Sequence, residues 1–184
     1  MAKIIFISGP CGCGKSTFAD ALAKHMVNRD GKTVYVIHGD MFHEGFVETD
    51  DKGDFFDDGK PIDQIKWEGI LRFNWDMIIA TADRALKTGM DVVVDYVMEN
   101  EMPRIRKLAE ENRAEFCYIV LTADAAELEK RIRARGDTDL IERAWFLKKK
   151  LEEMPENRGH LYDNTRKTTE EMLREIDPEQ YRMQ

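Results

Sequence analysis

The chain has 184 residues, of which 42% are hydrophobic and 35% charged, and a formal net charge of −8. This length and apolar content suit one compact domain with its own core and leave little room for a second. The acid excess disfavours nonspecific attachment to nucleic acid or an anionic membrane, and no window reaches the ~18 apolar residues of a membrane span. The apolar start Ile4-Ile5-Phe6-Ile7 is too short for a leader. A soluble, cytoplasmic protein is the expectation. Its three cysteines fit reduced thiols better than a disulfide framework, and Cys11 and Cys13 have no matching Cys/His pair for zinc.

In chain order, Lys3 to Ser8 is a β-branched apolar run that reads as a strand. It enters Gly9-Pro10-Cys11-Gly12-Cys13-Gly14-Lys15-Ser16, and the following FADALAKHMVNR has helical spacing. Strand, glycine loop and helix, in that order, build a phosphate cradle. Gly9 and Gly14 let the backbone curl so that amide N–H groups converge on an anion. The helix dipole adds only about 0.3–2 kcal/mol. Lys15 must therefore supply a full charge, most usefully at β/γ-phosphates, and the Ser16 hydroxyl is placed to ligate Mg²⁺. The stretch resembles the Walker A motif of P-loop kinases and ATPases. A thiol at a helix N-terminus has a lowered pKa, so a redox-sensitive loop is a second reading for Cys11 and Cys13.

Gly31-Lys32 turns the chain into Thr33 to Asp40, which reads as a buried strand with Asp40 at its end. Ligands sit beyond the carboxyl ends of strands in open α/β sheets, so Asp40 is a candidate catalytic acid; a turn or cap Asp is the plainer alternative. Residues 41–60 form an acidic, aperiodic insert, with Glu48, Asp50, Asp51, Asp54, Asp57 and Asp58 interleaved with phenylalanines. It reads either as a solvated loop or as a cover favouring neutral or cationic acceptors. Pro61 and Asp63 open a helix over about 62–87, with Ile65, Gly69, Phe73, Met77 and Ala80 along one side as the core stripe. Trp67, Glu68, Arg72 and Asn74 are candidates for an acceptor pocket.

Asp91 to Tyr96 reads as a buried parallel strand, and Asp95 at its end resembles the acid of a Walker B strand. A helix over 99–112, a strand over 115–121 and a helix over 123–135 follow, the last placing Arg131 and Arg135 on one face. Asp137-Thr138-Asp139 is expected to cap a helix over 140–154 that carries Arg143 and a surface run Lys148-Lys149-Lys150. The arginine-bearing ends meeting near Gly136 read as a hinge able to fold over bound nucleotide. His160 to Asn164 is a short last strand, and Thr168 and Glu171 have capping-box spacing before a closing helix. None of the four histidines lies at metal-ligand spacing, and each reads as structural.

Five strands alternating with helices predict a parallel sheet covered on both faces, a three-layer α/β/α domain over residues 1–184 with an acceptor-side insert at about 41–60 and a lid at about 131–143. The P-loop, the Asp ending the second strand, the Asp ending the third, the arginine-bearing hinge and the last strand together resemble small-molecule kinases of the P-loop nucleotide triphosphate hydrolase fold. These are the shikimate, gluconate, adenylylsulfate, chloramphenicol and nucleoside kinases and their nucleoside monophosphate kinase cousins. The resemblance implies that Gly9, Cys11, Gly12, Cys13, Gly14, Lys15, Ser16 and Thr17 cradle ATP, and that Ser16 and Asp95 hold Mg²⁺. It implies that Asp40 is the general base and that Arg131 and Arg135, with Arg143, are lid arginines. It also implies that the Asp163–Thr168 region, with Asn164, contacts adenine. The implied activity is transfer of the γ-phosphate of ATP to a hydroxyl of a small molecule by a monomer or homodimer. Neither a DGFPR-like phrase after the third strand nor a DxD at the second is present, which places the acceptor outside those two patterns. A nucleotide-dependent regulatory ATPase and a polynucleotide hydroxyl kinase share the motif and remain open, the latter disfavoured by the acidic charge.

Overall fold

The computed structural model describes residues 1–46 and 67–183. Five parallel strands, β1 (Lys3–Ser8), β2 (Val34–His38), β3 (Asp91–Asp95), β4 (Glu115–Thr122) and β5 (Leu161–Asp163), lie in the order β2-β3-β1-β4-β5. Six helices connect and flank them: α1 (Lys15–Asp30), α2 (Trp67–Lys87), α3 (Met102–Glu111), α4 (Ala125–Arg135), α5 (Ile141–Glu153) and α6 (Thr169–Glu175). The architecture is the α/β fold with an all-parallel sheet anticipated from the sequence.

Strand alternation explains the layers. Along β1, Ile4 and Phe6 enter a core shared with Trp75 and Ile78 of α2, Ile105 of α3 and Leu151 of α5. Ile5 and Ile7 enter a second core with Phe18 and Leu22 of α1, Leu128 of α4 and Met172 of α6. A side-chain period of two sends successive residues to opposite faces, and each aliphatic side chain so buried contributes about 1.5–3 kcal/mol. The central strands are buried along their lengths because both faces are covered.

Several local expectations change. The expected strand over Thr33 to Asp40 is shorter, and β2 is an edge strand whose Tyr35 is exposed. Being paired on one side only, it turns into a 3-10 helix, Gly39–Phe42, and Asp40 is carried on that turn, exposed, rather than on the strand. The core stripe of α2 is rotated from the expected one. Ile70, Trp75, Ile78, Ala82 and Leu86 are buried, while Phe73 and Ala80 face outward. Two overlapping helical stripes are apolar in this segment, and the one that meets Phe6 and Val94 wins. The insert from residue 47 onward, and the start of the expected helix before Trp67, lie outside the described residues. Asp137 makes no side-chain cap; a 3-10 turn, Thr138–Leu140, leads into α5 instead. The capping box is present at α6, where Thr168 and Glu171 satisfy each other's backbone N–H groups. A final 3-10 turn, Pro178–Tyr181, and a Met183 N–H donated to the Phe116 carbonyl dock the chain's end against β4. No helix of the described residues is long and apolar enough to cross a membrane.

Candidate active site

The loop between β1 and α1 has a backbone that favours glycine at three points, Gly9, Gly12 and Gly14. Gly9 has φ 149°, and a Cβ there would sit 2.4 Å from the Leu121 carbonyl oxygen. Gly14 has φ 86°, in the left-handed region, and a Cβ there would meet nothing within 4 Å, so conformation alone selects glycine. Gly14 starts α1 with no side-chain cap and no acid in the first turn, Lys15-Ser16-Thr17. An N-terminus whose amide donors are left without capping side chains is the arrangement that accepts an anion. Cys11 is half-buried and packs with Ile132 and Ile141, whereas Cys13 is fully buried beneath the loop. Burial pushes the Cys13 thiol above its ordinary pKa despite nearby Lys15, which argues against the redox reading for that residue.

Lys15 folds back and donates to the Pro10 carbonyl at 3.1 Å. Desolvation opposes its charge, but Cys13, Cys11, Asp40 and Asp95 outweigh that and hold its pKa above the usual lysine value. The ammonium therefore persists where phosphate charge would be neutralised. The Ser16 hydroxyl donates to Asp95 Oδ2 at 2.6 Å. Asp95, only 2% exposed, presents its other oxygen to His38 Nδ1 at 2.5 Å, and His38 Nε2 lies 3.3 Å from Asp20 Oδ1. A hydroxyl and a carboxylate oxygen meeting beside an open helix N-terminus are a hard-oxygen donor pair of the kind that serves Mg²⁺. Among the described residues no group of three or more His, Cys, Asp or Glu side chains could hold a metal by itself. Such a site fits an ion that takes its remaining ligands from phosphate and water.

His38 read as structural from the sequence, and its contact with Asp95 emerges only in the fold. Its signal lies in strand pairing: the β2–β3 register sets His38 opposite Asp95. Next along the chain, Gly39 packs so closely on Tyr96 that a Cβ would come within 2.4 Å of its ring. This contact fixes the turn that carries Asp40. Asn74, completely buried, donates to His43 Nδ1 at 2.6 Å and to the Tyr96 hydroxyl at 3.2 Å, and its own Oδ1 has no partner among the described residues. Burial raises the Tyr96 pKa, against the opposing effect of Asn74. Trp67 lies against His43, with ring centroids 6.1 Å apart, while Glu68 and Arg72 are exposed. Of the four acceptor-pocket candidates, Asn74 and Trp67 are drawn into this network.

On the other side of the loop, Asn164 donates to the Cys13 carbonyl at 2.8 Å and accepts from Arg131 at 3.0 Å. Arg131 also reaches the Asn164 carbonyl, the Thr165 carbonyl and Glu127. Both polar ends of Asn164 thus engage protein groups, so its side chain locks the loop to the strand end that follows β5. The hinge arginines are not gathered over the loop. Arg135 pairs with Asp137 at 3.3 Å, and Arg143 pairs with Glu99 at 2.6 Å while lying over the Phe146 ring. Nor is the lysine run plain surface: Lys150 donates to Glu99 at 2.5 Å, and Lys148 pairs with Glu152. Hydrogen bonds from Lys150 and Arg143 outweigh the desolvation of Glu99 and hold its pKa below the ordinary carboxylate value.

A family model described as an AAA domain matches residues 5–153. No curated protein matches the sequence significantly. Among solved structures, the chain is similar to the APS kinase CysC of Mycobacterium tuberculosis in complex with AMPPNP and APS, at 17% identity, 95% and 94% coverage of the two chains, and a TM-score of 0.61. It is similar to a gluconokinase from Sinorhizobium meliloti at 19% identity, 94% and 87% coverage, and a TM-score of 0.55. It also resembles the tunicamycin resistance protein of Deinococcus radiodurans at 14% identity, 95% and 92% coverage, and a TM-score of 0.57. The fold is the one these proteins share.

Proposed function

Because this chain belongs to the AAA domain family and has a P-loop kinase fold, we propose that it is an ATP-dependent phosphotransferase that moves the γ-phosphate of ATP to a hydroxyl of a small molecule. The observation that carries this reading is the Ser16–Asp95 pair set at the open start of α1, with Lys15 beside it and Asp40 close enough to act on that lysine. The names of the gluconokinase and the APS kinase support a small acceptor. The unit is a single domain over residues 1–184, with its acceptor side at about 41–60 and its lid at about 131–143.

Phosphoryl transfer asks a protein for alignment and charge neutralisation more than for covalent work. The amides of the loop from Gly9 to Gly14 and of the first turn, with Lys15, hold the phosphates. Ser16 and Asp95 would hold Mg²⁺, which when bound neutralises charge on the β- and γ-oxygens. Asp40, exposed on its turn, accepts the proton of the acceptor hydroxyl or aligns it for in-line attack. Asn164 and Arg131 fix the loop and border the adenine side. Of the lid arginines, Arg135 and Arg143 supply the mobile cations by exchanging Asp137 and Glu99 for phosphate on closure, while Arg131 adds its charge from where Glu127, Asn164 and Thr165 hold it.

Incubation of the protein with ATP, Mg²⁺ and a metabolite mixture tests the reading. A new phosphorylated small molecule is expected; ADP and free phosphate as sole products would move the assignment to a regulatory ATPase. Phosphorylated oligonucleotide in a parallel assay would move it to a polynucleotide kinase.

A further inference from the structure

Asn74 stands where the helical spacing calls for an apolar side chain. On α2 it falls four residues after Ile70 and four before Ile78, in the same buried row, and it is completely buried itself. An amide is a weak helix former and costs about 1–3 kcal/mol to bury if its hydrogen bonds go unmade, whereas leucine has the same reach and carries neither cost. What the amide does there is tie two elements together. Its nitrogen reaches His43 Nδ1 at 2.6 Å and the Tyr96 hydroxyl at 3.2 Å, and the two N–H groups suffice for both. His43 closes the 3-10 turn that carries Asp40, because its backbone N–H donates to the Asp40 carbonyl. Tyr96 follows Asp95 directly in the chain, and its ring is seated against Gly39 at the other end of that turn. Trp67, at the start of α2, lies against the His43 ring.

We propose that Asn74 is a positioning residue for phosphoryl transfer: its amide fixes the Asp40 turn relative to Asp95, so that the base and the metal-binding acid keep one spacing. This role rests on the phosphotransferase reading. Being completely buried, Asn74 touches no acceptor, so it acts through Asp40 and not on the substrate. Asp40 and Met41 are exposed, and the strand before them is paired on one side only. A turn seated at Gly39 alone can still swing about that contact; the bond to His43 fixes its far end. Since a displacement of about 1 Å costs on the order of 10²-fold in rate, the tie has a direct bearing on turnover. His43 accepts through Nδ1, which places the ring proton on Nε2.

The test uses Asn74→Leu, which keeps the volume of the buried row, with the acceptor that the metabolite mixture reveals. Turnover is expected to fall roughly ten- to a hundredfold, while KM for ATP and the affinity for AMPPNP stay within about twofold. In the Asp40→Asn background the same substitution is expected to cost less than about threefold, because the group it positions is already altered. NMR of the imidazole nitrogens reads the tie without any turnover. His43 is expected to hold the Nε2–H tautomer in the unaltered protein and to lose that preference in Asn74→Leu. Should Asn74→Leu not fold, His43→Phe breaks the same bond from a half-buried position and is expected to show the same loss. His43→Asn, which places an amide oxygen where Nδ1 stands, is expected to restore turnover to within about threefold. Full turnover in Asn74→Leu, an equal loss in the Asp40→Asn background, a fall in AMPPNP affinity, or an unchanged His43 tautomer would each overturn the proposal. An unaltered protein that phosphorylates nothing in the mixture sinks the phosphotransferase reading and this role with it, whereas those results, with product formed, bear on Asn74 alone.

Discussion

Ser16 Oγ and Asp95 Oδ2 stand 2.6 Å apart, joining the first turn of α1 to the carboxyl end of β3. The contact spans two elements adjacent in space but 79 residues apart in sequence. It sets a hydroxyl and a carboxylate where a phosphate-bound Mg²⁺ would need them. Asp95→Asn preserves the side chain's shape and removes its charge. Turnover is expected to fall about a hundredfold, roughly 2.7 kcal/mol in the barrier, with a higher Mg²⁺ requirement. His38→Ala, which frees the other Asp95 oxygen, should weaken apparent Mg²⁺ affinity about tenfold. Initial rates against Mg²⁺ concentration check both. An unchanged Mg²⁺ dependence in Asp95→Asn would remove the metal assignment.

What could be read from the chain alone follows from the range of the forces involved. The glycine loop and the strand–helix alternation are local signals, and they led directly to the parallel sheet and to the helix beginning at Lys15. The capping box at Thr168 is equally local. The role of His38 depended on register with β3, and the buried face of α2 on which of two apolar stripes met Phe6. Neither is encoded within one segment. Glu99 gave no signal either, because its importance comes from Arg143 and Lys150, more than forty residues downstream.

Lys15 and Asp40 should separate in their effects. Lys15→Ala removes the full charge at the loop and is expected to abolish most ATP-dependent activity together with nucleotide affinity. Asp40 sits on an exposed turn outside the loop, so Asp40→Asn should retain ATP binding while turnover falls about 10²–10⁴-fold. Isothermal titration with AMPPNP beside steady-state kinetics resolves the two. Unimpaired transfer in Asp40→Asn would remove the base assignment.

The three cysteines should differ in reactivity despite two of them sharing the loop. Cys13 and Cys117 are fully buried, and burial raises both pKa values, that of Cys117 to about 12. Neither forms appreciable thiolate at neutral pH, and neither is reachable. Iodoacetamide at pH 7.5 is expected to label half-buried Cys11 alone in the folded protein and all three after denaturation. Peptide mapping by mass spectrometry reads the result; rapid labelling of Cys13 in the native protein would restore a redox role for the loop.

Glu99 joins the segment after β3 to α5 through Arg143 at 2.6 Å and Lys150 at 2.5 Å. Desolvation disfavours its carboxylate, but the two cations outweigh that and leave the folded pKa below the ordinary value of 4.5. A depressed folded pKa means that the unfolded chain binds the proton more readily. The stabilisation is therefore fully present above about pH 4.5 and disappears as pH falls through the folded pKa. Arg143 is half-exposed, so solvent screening limits the contribution to about 1 kcal/mol. Glu99→Gln should lose about that much in urea unfolding at pH 7. The gap to the unaltered protein should close in acid, because protonated Glu99 and glutamine are then nearly equivalent. A gap of constant size from pH 7 to pH 3 would mean that shape, not charge, is what Glu99 contributes to holding α5.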